Sequence, residues 1–205
     1  MLRGRALFII TIMVIVTTSI ASASATNIFS KTLPDGTAVD VVQNVERQQK
    51  TPTKEDQEKL PEGFVAVGGE FEVLHYIAKY TNRKGGTVSI WEKTVESLVV
   101  PSGKGFGDRV MIRDVVMDSE QAYAAILYVQ SSALRVDIVE CHENGGKFQP
   151  AGSQTVFDLA SRGTVMRAEM IQHEDLLYVF TVTSLAGSEI WCGGKDGMEK
   201  VYGKK

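Results

Sequence analysis

The stretch Ala122–Glu140, AYAAILYVQSSALRVDIVE, decides the fold. Ala122–Gln130 is apolar on both alternating parities. Successive strand side chains point to opposite faces, so a strand with this pattern expects cover on both. Ser131-Ser132 interrupts it, and Leu134–Glu140 resumes as a second strand rich in β-branched residues. Upstream, Val110–Met117 reads as a third strand across the turn Asp118-Ser119-Glu120. Downstream, Thr155–Leu159 can supply an edge strand.

The same order of strands recurs. Val165–Ile171, Leu176–Thr183 and Ser188–Trp191 are separated by Gln172–Asp175 and Leu185-Ala186-Gly187. Arg113 aligns with Arg167, Tyr123 with Tyr178 after a slip of one residue, and Ile138 falls near Ile190. Leu176–Thr183, like Ala122–Gln130, is apolar on both parities, so it too is expected to be covered on both faces. An earlier block runs Glu70–Tyr80, Gly85-Gly86, Thr87–Glu92, with Ser97–Val100 as a further edge strand. Its Ile90-Trp91-Glu92 resembles Ile138-Val139-Glu140.

The reading is an all-β chain of antiparallel meander units with a period of about 50 residues, either propeller-blade-like or a small β-sandwich. Three units do not close an ordinary propeller. Either the N-terminal hairpin completes a fourth unit, or the sheets pack as a sandwich, or a partner or a second copy covers the exposed faces.

Residues 1–25 have a different character. Arg3 and Arg5 precede the uncharged apolar run Ala6–Ile20, and Ala21-Ser22-Ala23-Ser24-Ala25 supplies small residues. That order is the secretory signal pattern, with cleavage expected before Thr26. The alternative is a retained anchor, since Ala6–Ala25 is long enough to span a bilayer. Residues 26–45 follow as a hairpin, with Ile28–Leu33 and Thr37–Gln43 flanking Pro34-Asp35-Gly36. Residues 46–63 carry charges and Gln with few apolar side chains, as expected of a linker or short exposed helix. Residues 64–205 make up the repeated β-meander domain.

Of the 205 residues, 43% are hydrophobic and 23% charged, which excludes disorder as a global description. The formal net charge is −3, and removing Arg3 and Arg5 makes the chain more acidic. Nucleic acid is therefore not an expected partner, because its binding needs clustered cations. Nor is an anionic membrane surface once the signal is cleaved.

No motif announces a reaction. Gly-x-Ser-x-Gly, Ser-x-x-Lys, Cys-x-x-Cys and His-Glu-x-x-His are all missing from the sequence. Cys141 and Cys192 are the only cysteines, and an exported chain allows a disulfide between them or two separate thiols. Cys141-His142 as a dyad is disfavoured, since adjacent strand residues diverge. Glu140–Glu143 and His173–Asp175 hold ligand-type atoms, but they read as polar loops rather than a metal site. Neither a metal nor an organic cofactor is expected.

The candidate binding residues are Trp91 and Trp191 on strand ends, and Lys104 and Phe106 in the glycine-rich loop Gly103–Gly107. Tryptophan can anchor a partner or cap a core. The leading expectation is a secreted or periplasmic, non-enzymatic binding or assembly module that pairs with a protein partner or with itself. The rival is a secreted hydrolase or carbohydrate-active protein using Asp114, Glu169 or His173 where the units converge.

Overall fold

Ser131 and Ser132 both take positive φ, 51° and 59°. With Gln130 paired to Ala133, they form a two-residue hairpin loop in which both central residues are left-handed. This turn joins the second and third strands of the middle one of three antiparallel meanders. The computed structural model describes residues 25–51, 54, 58, 69–99, 105–106, 109–118, 123–141 and 147–203.

The first sheet holds β1 (Thr26–Thr32), β2 (Ala38–Lys50), β3 (Gly69–Thr81), β4 (Thr87–Val99) and the two-residue β5 (Gly105–Phe106). The second holds β6 (Met111–Asp118), β7 (Tyr123–Gln130), β8 (Ala133–Cys141) and β9 (Phe148–Asp158). A single helical turn, α1 (Leu159–Arg162), leads to the third. That sheet holds β10 (Val165–His173), β11 (Leu176–Thr183), β12 (Gly187–Gly194) and β13 (Gly197–Tyr202). In each sheet the strand order is the chain order, so the all-β class and the repeated meander hold.

The opening strand of every sheet carries a β-bulge, at Asn27/Phe29, Ile112/Asp114 and Val165/Arg167. Arg113 is the bulged residue of β6, and Arg167 flanks the bulge of β10. The repeat thus reaches local backbone geometry, although residue identities differ.

Several boundaries differ from the sequence reading. β2 continues to Lys50, because Glu46–Lys50 pair with Val73–Gly69 of β3. Those residues are therefore strand, and the amino-terminal hairpin is the start of the first sheet rather than a separate piece. Lys54 and Glu58 have helical backbone, while most of residues 52–68 lie outside the described residues. Ser97–Val99 continues β4, and Thr155–Asp158 belongs to β9. β13 was not expected. Its turn needs Gly193, where an added Cβ would collide with the Gly197 carbonyl.

The second sheet lies between the other two. β6 contacts both β1 and β10, and β9 contacts both β4 and β13, so corresponding strands face one another. Alternate side chains of β7 enter two separate cores. Ala124, Ile126 and Tyr128 pack with Val39, Val41, Leu74, Tyr76 and Trp91 of the first sheet. Ala125, Leu127 and Val129 pack with Ala168, Met170, Leu177 and Val179 of the third. Full burial of a side chain such as Leu127 contributes about 2 kcal/mol.

The equivalent expectation for β11 is not met. Leu177, Val179, Thr181 and Thr183 are buried, whereas Leu176 and Phe180 on the other parity are exposed. β11 belongs to a terminal sheet, and none of the described residues forms a sheet over its second face.

The turn at Ser131-Ser132 yields a prediction. A left-handed residue with a Cβ costs roughly 1 kcal/mol, and glycine avoids that cost. Ser132→Gly is expected to raise stability by about 0.5–1 kcal/mol, read as a higher urea midpoint with an unchanged slope.

Candidate functional site

Three places gather chemistry-bearing side chains, and the first is built around Trp91. β4 brings Trp91 and Lys93 against the second sheet, where β7, β8 and β9 supply Tyr128, Asp137 and Ser153. Asp137 Oδ1 accepts from Tyr128 Oη at 2.8 Å and Ser153 Oγ at 2.6 Å. Its Oδ2 accepts from Trp91 Nε1 at 2.9 Å and Lys93 Nζ at 3.3 Å. Lys93 also donates to Tyr128 Oη at 2.6 Å. Trp91, Lys93, Asp137 and Ser153 border a cleft of about 890 Å³ between the first and second sheets.

Burial raises the Asp137 pKa, but hydrogen bonds from Ser153, Trp91 and Tyr128, with the Lys93 charge, outweigh it. The carboxyl therefore titrates below its ordinary value. Burial first, and the Asp137 charge second, push the Tyr128 hydroxyl above its ordinary value. Four donors occupy the two carboxylate oxygens, which leaves no acceptor site for proton abstraction. The cluster is suited to clamping two sheets together. Trp91, expected as a binding residue, is 5% exposed, so its ring serves the core.

The second place is an open groove where the opening strands β1, β6 and β10 meet. Asp114 is buried there and accepts from Lys31 Nζ at 2.5 Å, Val115 N at 2.8 Å and Met170 N at 2.6 Å. One carboxylate thus ties all three sheets together. Glu169 lines the same groove, held by Arg167 at 2.7 Å, whereas His173 is not among its lining residues. Two of the three residues named for hydrolysis therefore share a groove, each already paired with a cation.

The third place is the outer face of the third sheet. Residues paired across strands share a face, and here the rows run Ile171–Tyr178–Cys192–Glu199, Glu169–Phe180–Ile190–Tyr202 and Arg167–Val182–Ser188. Ile171 is 51% exposed, Phe180 38% and Tyr202 64%. The outer face of the first sheet differs. Its rows are Asn44–His75–Thr94, Val42–Ile77–Glu92 and Asp40–Lys79–Ser89. The first-sheet face is mainly polar, whereas the third-sheet face exposes Ile171, Leu176, Phe180 and Tyr202 beside Arg167, Glu169 and Glu199.

The remaining candidates are dispersed. Trp191 is 8% exposed, with its ring 5.4 Å from that of Phe157 and Arg162 over its face. It lies in the third strand of its sheet and Trp91 in the fourth, so the two tryptophans are not equivalent. Phe106 lies in β5 opposite Leu98, and Lys104 lies outside the described residues. Cys192 carries a free thiol, so the disulfide with Cys141 that export would allow is not formed in this structure. The neighbouring Cys192, its partner across the strands, pushes the Tyr178 hydroxyl above its ordinary value. Among the described residues, no three His, Cys, Asp or Glu side chains gather to hold a metal. His142 and Glu143 lie outside them.

Sequence reasoning missed Asp137 and the outer face of the third sheet. Asp137 shows only as a lone charge in an apolar strand. The outer-face residues were visible in the pattern of β11 but were assigned to a buried surface.

Because the Asp137 pKa is depressed in the fold, its stabilising contribution is present above the unfolded carboxyl value of about 3.9 and lost as pH falls through the folded value. Asp137→Asn is expected to cost roughly 2 kcal/mol at neutral pH. Urea unfolding of both proteins across pH should show the gap narrowing below about pH 4.

Comparisons of the chain with protein-family models, with curated proteins and with solved structures return no match.

Proposed function

We propose that this chain is an exported, non-enzymatic binding or assembly module, a blade-like stack of three sheets that docks another protein through the outer face of its third sheet. One observation carries this reading. Ile171, Leu176, Phe180 and Tyr202 are exposed on an ordered sheet face, while the opposite end of the stack is finished with polar rows. Stacked repeats need polar end faces to remain soluble alone, and an apolar end face is a surface suited to a partner. The carboxylates that a hydrolase would use are already satisfied. Asp114 has three donors and Asp137 has four.

Export rests on the sequence of residues 1–25, of which 1–24 lie outside the described residues. Intact mass after expression in a secreting host is expected to give a chain beginning at Thr26. A mass that retains Met1–Ala25 would replace export by anchoring. For docking, the tagged chain is crosslinked in its native envelope or culture-medium extract. Capture is expected to fall strongly with Phe180→Asp and to persist with Lys79→Glu on the first sheet. Capture equal in all three proteins would move the docking surface elsewhere.

A further inference from the structure

We propose that the outer face of the third sheet seats the same face of a second copy, giving a two-fold dimer in which the stack continues through the interface. The inference rests on the assembly reading above and specifies the partner.

The two ends of the stack determine which pairing is available. A head-to-tail arrangement would place Ile171, Phe180 and Ile190 against Asp40, Lys79 and Glu92. It would desolvate charges without partners of matching geometry, and it would leave an apolar face open at the far end. Pairing the third-sheet face with itself brings Ile171, Phe180 and Ile190 against their own copies, with Glu199 the one charge in the rows of that face outside the Arg167–Glu169 pair, and closes after two copies.

The charges on that face suit self-pairing. Arg167 and Glu169 form an ion pair within β10, so the face brings no net charge of its own from these two residues to its mate. Tyr178 lies at the centre of the face, between Ile171 and Cys192. The centre is therefore formed by aliphatic, aromatic and thiol side chains, with the Arg167–Glu169 pair to one side.

Size gives the third argument. Four strands spaced about 4.8 Å apart and about 27 Å long present roughly 500 Å². Two copies would bury roughly 1,000 Å² in total, the lower bound of a specific interface. That area suits a dimer that dissociates on dilution rather than an obligate one. The chain already packs sheet against sheet twice, through its two core clusters, and the two-fold contact would add a third sheet packing, here between like faces.

The test is sedimentation equilibrium of the purified protein alone, as processed by the exporting host, from about 1 to about 100 µM. The expected result is a concentration-dependent dimer. Phe180→Asp and, independently, Tyr202→Asp should each weaken it by roughly tenfold or more, with circular dichroism unchanged. Lys79→Glu should leave it intact. Should Phe180→Asp unfold, Tyr202→Asp on the edge strand decides. A wild-type monomer at every concentration overturns the dimer, as does a dimer indifferent to both face variants. A monomer that still captures a different protein through Phe180 removes the second copy but leaves the assembly reading standing. A monomer without Phe180-dependent capture removes both.

Discussion

The structure depends on one strand having two apolar faces. β7 places Ala124, Ile126 and Tyr128 in one core and Ala125, Leu127 and Val129 in the other. A sheet cannot bury both faces unless something packs on each side, so β7 requires a neighbour in front and a neighbour behind. The meanders before and after it in the chain supply those neighbours. The first and third sheets share no core, and each cluster is completed by the second sheet.

Polar ties fix how the sheets sit on one another. Apolar packing is non-directional, whereas a buried carboxylate demands donors at fixed positions. Asp114 takes its donors from Lys31 of the first sheet, Val115 of its own and Met170 of the third. Asp137 holds Trp91 and Lys93 of the first sheet against Tyr128 and Ser153 of the second. Within the third sheet and its leading turn, buried Glu189 accepts from Arg162 at 2.9 Å and Lys200 at 3.2 Å. Carboxylates saturated in this way orient neighbours and are poor bases. The most concentrated polar chemistry in the molecule therefore supports the architecture, and the functional argument moves to the surface.

The surface is asymmetric. At the first sheet, Val42 and Ile77 share their face with Asp40, Asn44, His75, Lys79 and Glu92. At the third sheet, Ile171, Tyr178, Phe180, Ile190 and Tyr202 dominate the face, with Arg167, Glu169 and Glu199 among them. An end face of that kind is where a stacked architecture can grow or dock.

The sequence by itself determined the class, the repeat and most of the strands. Alternation, β-branched composition and turn residues act within a few positions of one another, so they can be read locally. Ser131-Ser132 and Pro34-Asp35-Gly36 lie at turns as expected. Local pattern misjudged Glu46–Lys50, whose polar residues form a strand because β3 offers them hydrogen-bond partners. It also could not give the roles of Trp91 and Asp137, which meet across 46 residues of chain. The clearest contrast is between β7 and β11. Both are apolar on two parities, yet only β7 is covered on two faces, because only its sheet has a neighbour on each side. A strand's pattern records what its faces can bury. Position in the stack decides which faces are buried within the chain and which remain for a partner, because packing is a property of sheets in space.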